Sequence, residues 1–263
     1  MSSRLQIKYY VEPDTAALAR RAAQYFVEMA GEAVEAQGRA RIAISGGTTP
    51  KFAFELLADT SQPWRGRMPW EQIDLFWVDE RSVPPDDPAS NYRMTREALL
   101  DLVPLHPEQI HRIEGELEPE AAAARYESEL RSSFRLEGAE LPRFDLIALG
   151  IGDDGHTASI FPGTAAVHEV SRLVVANHVP QKDTWRITLT WPVINRARSV
   201  FFLAAGADKA FILNEVLTGP LDPERLPSQL IQPSSGILTL MLDKAAATLL
   251  PAIGEDGCGV LER

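Results

Sequence analysis

The chain has 263 residues, 45% of them hydrophobic and 24% charged, which is ordinary for a globular protein and ample for a buried core. A formal net charge of -11 argues against a nucleic-acid partner, which would want a basic stripe, and an anionic ligand would need a local cluster of cations. The single cysteine, Cys258, excludes an intrachain disulfide and fits a reduced, cytoplasmic setting.

The opening residues, Met1 to Lys8, hold no apolar leader core, and no uninterrupted apolar run approaches the length of a membrane span. Periodicity then predicts a helix over Thr15 to Gln37 and a strand over Arg41 to Ser45. A second helix over Pro50 to Ala58 leads to a strand over Ile73 to Val78. Val83-Pro-Pro-Asp-Asp-Pro88 reads as a loop, Tyr92 to Leu100 as a helix, and Gly115 to Pro119 as a surface turn before a helix over Pro119 to Phe134. Short apolar strands follow at Phe144 to Leu149, Leu173 to Ala176, Arg186 to Thr190 and Val200 to Ala204. Lys209 to Leu217 and Lys244 to Leu250 have helical patterns. Strands that alternate with helices imply an α/β fold, a three-layer αβα arrangement with a mostly parallel sheet. Candidate site residues scattered from Gly46 to Lys209 would have to converge across one sheet, so residues 1–263 read as a single domain.

Four motifs can carry chemistry. Ser45-Gly-Gly-Thr-Thr-Pro50 ends the first apolar strand, and its glycines would let backbone N–H groups approach an anion ahead of a helix N-terminus. Thr49 is placed to cap that helix and Pro50 to occupy its first turn, so a plain capped turn is the competing explanation. Trp77-Val-Asp-Glu-Arg81, followed by Ser90-Asn-Tyr92, sets three charges at a strand end. Arg81 can grip a phosphate or carboxylate through its planar fork, and Asp79 can act as a base or orient another group.

The third motif, Gly150-Ile-Gly-Asp-Asp-Gly-His156, pours from a strand into a polar loop. It matches the spacing of a dinucleotide fingerprint, but Asp153 and Asp154 would repel a pyrophosphate. His156 instead stands beyond a strand's carboxyl end, where a group titrating near neutral pH can meet a substrate. The fourth is the basic pair Arg186 and Lys209; the latter begins a helix, where the dipole disfavours a cation unless an anion accompanies it. His106, His111, His168 and His178 lack metal-ligand spacing and read as surface or packing residues.

In this order, and with Arg186-Ile-Thr-Leu-Thr190, Gly206-Ala-Asp-Lys-Ala210 and the full run to Phe161-Pro-Gly163, the motifs resemble those of 6-phosphogluconolactonases of the short single-domain type. The resemblance spans nearly the whole chain and departs from the family pattern at Leu240, where an aromatic residue is expected. It implies a fold similar to that of glucosamine-6-phosphate deaminase and hydrolysis of 6-phospho-D-glucono-1,5-lactone without metal or organic cofactor. It implies a small sugar-phosphate ligand; charge and hydropathy argue against a nucleic-acid or membrane partner, and the oligomeric state stays open with a monomer favoured. By the same resemblance His156 is the general base and Asp79 an active-site acid that orients substrate or base. Arg81, Arg186 and Lys209 become phosphate and charge-stabilising residues beside Gly46, Gly47 and Thr48. The alternatives are a glucosamine-6-phosphate isomerase/deaminase, which would need a carboxylate where Ile160-Phe-Pro162 stands, and a non-catalytic sugar-phosphate sensor.

Overall fold

The computed structural model describes residues 6–234, 237–251, 254 and 257–262; residues 1–5, part of the segment read above as lacking a leader core, lie outside it. Eleven strands and six α-helices follow one another in the described chain: β1 (Gln6–Glu12), α1 (Thr15–Gln37), β2 (Ala40–Ile44), α2 (Thr48–Ala58), β3 (Ile73–Trp77), β4 (Asp79–Arg81), α3 (Asn91–Ala98), β5 (Ile110–His111), α4 (Pro119–Phe134), β6 (Leu146–Leu149), β7 (Val174–Val179), β8 (Thr184–Leu189), α5 (Trp191–Asn195), β9 (Ser199–Ala204), α6 (Ala210–Thr218), β10 (Ile237–Asp243) and β11 (Cys258–Glu262). Eight strands form the main sheet in the order β11-β1-β10-β9-β6-β2-β3-β5, parallel except for β11.

Both faces of this sheet are covered. Phe76, Ala43, Ile147 and Val200 are in register across β3, β2, β6 and β9, so Phe201, one residue on, points to the opposite face. Tyr25 and Phe26 of α1 meet Phe201 edge-on, whereas Phe134 of α4 packs on Phe76. One helix therefore lies on each side, and the inner strands β6 and β9 are buried at every position, as strands covered on both faces must be. The three-layer α/β arrangement follows. Leu240, the departure from the family pattern, is buried between Tyr9 and Phe202 in neighbouring strands, which supply the aromatic surface it lacks.

Four expectations are corrected. The strands expected at 173–176 and 186–190 do not join the parallel sheet; as β7 and β8 they make a three-stranded antiparallel sheet with β4. Only residues 180–183 connect them, and a parallel crossover needs about a dozen residues or more. The helix expected over Lys244 to Leu250 is a run of turns: Asp243 caps it through Ala246 N–H at 2.8 Å, but Pro251 follows at once and stops propagation. Thr49 does not cap α2, because Gly47, at φ 121°, makes the turn and the helix already begins at Thr48. Gly115, expected in a surface turn, is buried: a side chain there would come within 2.3 Å of the Arg81 carbonyl.

Val78 joins the two sheets. Its N–H donates to Ile44 O at 2.9 Å in the parallel sheet, and its C=O accepts from Leu189 N at 2.8 Å in the antiparallel one. The chain after β3 thereby leaves one sheet for the other just where the charged motif begins.

Candidate active site

The loops beyond β2, β3, β6 and β9, four adjacent strands, surround a cavity of about 380 Å³. Ligands gather at this carboxyl end in open α/β sheets. Its wall includes Gly46, Gly47 and Thr48 from the first motif, Asp79 and Arg81 from the second, His156 from the third and Lys209 from the fourth. A larger depression of about 560 Å³, bordered by Lys8, Tyr25, Arg143 and Arg198, lies at the opposite strand ends and includes none of the motif residues.

His156 is held from three sides. Its Nδ1 lies 2.5 Å from Asp154 Oδ1, its ring stacks on Phe161 at 3.9 Å, and Gly152 leaves the space it fills. A Cβ at Gly152 would sit 2.0 Å from Nδ1, so any larger residue would evict the ring. Donation from Nδ1 to the carboxylate leaves the lone pair on Nε2, which has no hydrogen-bond partner among the described residues. Burial pulls the Asp154 carboxyl upward, but the His156 hydrogen bond and charge outweigh it and hold the group below the ordinary carboxylate range. Sequence reasoning gave Asp154 no role; the Asp-x-His spacing, two residues apart in a tight loop, was the available signal.

Asp79 is buried in the cavity wall and is bonded elsewhere. Ser159 Oγ donates to its Oδ2 at 2.6 Å, and Asn91 Nδ2 stands 3.4 Å from its Oδ1. The carboxylate that orients His156 is thus Asp154, not Asp79. Asn91 in turn leans over Gly46, where a Cβ would lie 1.8 Å from its Oδ1, and donates to Asp79 O at 2.9 Å. The side chain of Glu80, unassigned from sequence, accepts from the N–H groups of Arg81, Asn91 and Tyr92 and from Ser90 Oγ, and so staples β4 to the start of α3. Burial, against those donors, pushes its carboxyl above the ordinary range.

The cations fall into two groups. Lys209 contacts the Asp153 carboxylate and lies 3.7 Å from Asp208. Its loop is fixed by Asp243, which accepts Gly206 N–H at 3.1 Å. Arg81 donates to Ala89 O, and Arg186 stands opposite it in the β4–β8 ladder. Arg186 is not part of the cavity wall; its Nη1 donates to Thr184 Oγ1 at 2.9 Å and Trp185 O at 3.1 Å. Burial first, and then the neighbouring Arg81 charge, pull its guanidinium below the usual arginine range. Among the described residues neither arginine has a carboxylate ion pair, and no three His, Cys, Asp or Glu side chains are grouped to hold a metal ion. Ser45 Oγ, buried in the cavity wall, also lacks a partner among them. It too went unassigned in the sequence, as its strand-end position alone did not mark it.

A histidine whose Nε2 has no partner among the described residues, a glycine-lined helix start and two cations are therefore brought to one cavity. Residues 13–240 match the family described as glucosamine-6-phosphate isomerases/6-phosphogluconolactonase. The chain belongs to that family. It is 43% identical over 221 residues to a 6-phosphogluconolactonase of Synechocystis sp., covering 84% of this chain and 89% of the relative. The 6-phosphogluconolactonase structure from Trypanosoma cruzi superposes with a TM-score of 0.81 at 31% identity, covering 93% of this chain and 97% of that one. A monomeric glucosamine-6-phosphate deaminase shares the fold, with a TM-score of 0.76 at 21% identity over 92% of this chain and 99% of that one.

Proposed function

We infer that the protein hydrolyses 6-phospho-D-glucono-1,5-lactone to 6-phospho-D-gluconate, the lactone-opening step of the pentose phosphate pathway. The observation that carries this reading is the His156–Asp154 pair, with Nε2 unengaged among the described residues, in the same cavity as the Gly46-Gly47-Thr48 loop. His156 Nε2 takes a proton from water as the water attacks the lactone carbonyl, and the imidazolium returns it to the ring oxygen as the C–O bond breaks. A cation or a backbone N–H on the cavity wall stabilises the tetrahedral oxyanion. A δ-lactone is a reactive ester, so the step requires neither metal nor organic cofactor.

The 6-phosphate, close to doubly charged at neutral pH, binds remote from the carbonyl and positions it for attack. Its cradle is formed by Gly46, Gly47 and Thr48 at the start of α2, with Arg186 and Lys209. Two guanidinium groups facing each other across a ladder repel, and an anion between Arg81 and Arg186 relieves that repulsion. Asp79 contacts substrate in this scheme. We take residues 1–263 as one lactonase domain, acting as a cytoplasmic monomer.

The test is hydrolysis of freshly generated 6-phosphogluconolactone, corrected for its spontaneous opening; a rate no higher than the blank refutes the assignment. Ammonia release from glucosamine 6-phosphate is expected to be absent, since buried Ile160 and Phe161 stand where that reaction needs a carboxylate.

A further inference from the structure

The wall behind Asp79 is a chain of buried polar groups that the hydrolytic scheme does not use. Ser159 Oγ donates to Asp79 Oδ2 at 2.6 Å, while Ser159 N–H donates to Thr188 Oγ1 at 3.2 Å. From the far side Asn177 Nδ2 donates to Ser159 O at 2.9 Å and to Thr164 Oγ1 at 2.9 Å. Asp79, Ser159, Asn177 and Thr188 are each at most 6% exposed. Between His156 and Ser159 the backbone passes through Ala158 at φ 51°, a left-handed conformation costly for a residue with a Cβ. That turn lets His156 line the cavity while Ser159 is sequestered behind Asp79.

Asp79 Oδ1 is the less committed oxygen. Its neighbour, Asn91 Nδ2, is 3.4 Å away and is bonded more closely to Asp79 O at 2.9 Å. We propose that Ser159 is a positioning residue: it fixes one oxygen of Asp79 so that the other accepts a hydroxyl of the sugar ring. This rests on the lactonase reading and deepens it, by assigning Asp79 to the substrate's polyol face and not to the base. An ionised carboxylate accepts through both oxygens, whereas a protonated carboxyl turns one of them into a donor, and a hydroxyl donated to the ionised form favours that form. The other charged groups around it are Glu80 and Arg81 on its own strand, Arg186 on β8, and His156, Asp208 and Lys209 on the cavity wall.

Ser159→Ala, Ser159→Cys and Asp79→Asn decide the matter, assayed between about pH 4 and 8 with thermal melts in parallel. In Ser159→Ala, kcat/KM is expected to fall about tenfold, chiefly through KM. The low-pH limb of kcat/KM should move to higher pH than in the wild type, because the lost hydrogen bond no longer favours the ionised carboxylate. Ser159→Cys, with a weaker donor, should lie between and serves in place of the alanine variant should that one not fold. A low-pH limb that superposes on the wild type, whatever the rate, overturns the role of Ser159, provided Asp79→Asn is impaired. Wild-type kcat/KM in Asp79→Asn removes Asp79 from the lactonase scheme and the inference with it.

Discussion

Two histidines in this fold have nearly the same surroundings and different proposed uses. His156 stacks on Phe161 at 3.9 Å and engages Asp154 through Nδ1 at 2.5 Å; His111 stacks on Phe76 at 4.2 Å and engages Glu129 through Nδ1 at 2.7 Å. The second nitrogen separates them. Nε2 of His111 faces Asp74 at 4.0 Å, and that carboxylate is itself clamped by Arg39 at 2.8 Å and 2.9 Å. Nε2 of His156 has no partner among the described residues. A ring held between two acids ties the edge strand β5 to β3 and α4; a ring held by one acid beside a cavity keeps a lone pair for chemistry. A carboxylate partner alone therefore does not mark a catalytic histidine.

The largest effect should come from His156→Ala, which is expected to lower kcat by about a hundredfold or more while the melting temperature hardly moves. Unaltered turnover would erase the contrast between the two rings. Asp154→Asn should lower kcat on the order of tenfold with a smaller change in KM, because the amide no longer enforces the Nδ1-protonated tautomer. Lys209→Ala is expected to raise KM roughly tenfold through a lost charge-assisted contact, with kcat less affected; an unmoved KM would put the phosphate elsewhere.

His111→Ala should leave turnover alone and lower stability by about 1 kcal/mol, read by denaturant unfolding at several pH values. Burial pulls the His111 imidazole down, yet Asp74 and Glu129 together hold it above the ordinary histidine value. A raised value in the folded state means that this stabilisation is full below the ordinary histidine range and fades as pH rises through the folded one. On Asp74, burial is outweighed by His111 and Arg39, and its carboxyl is held low, so its share is lost instead as pH falls. A variant whose deficit did not shrink at alkaline pH would break the ion-pair account.

Much of this was legible in the residues themselves. The boundaries of α1 and α4 fall where the periodicity predicts because both have local stop signals: Asp14 caps α1 and Gly38 ends it, while Glu118 and Pro119 open α4. The third motif was readable because an apolar strand ended abruptly in glycine, acid and histidine. What stayed hidden depends on partners distant in sequence. β1 alternates Gln6, Lys8 and Tyr10 with buried Ile7 and Tyr9, so it lacks the continuous apolar run of the inner strands. β5 is two residues long, and no pattern can be read from it. The antiparallel sheet escaped notice because β4 and β8 are more than 100 residues apart along the chain. Ser159 looks like any small residue until Asp79, 80 positions earlier, is seen against it.

The position of Val78 has a consequence for the whole cleft. One bank of it, with Asp79 and Arg81, is anchored to the small antiparallel layer; the other, with His156 and Lys209, hangs from the large parallel one. A single residue is stitched to both at once, 2.9 Å one way through its N–H and 2.8 Å the other through its C=O. Any sliding of layer past layer must strain that stitch, so the gap a sugar phosphate has to span is gauged by backbone and not by the reach of flexible side chains.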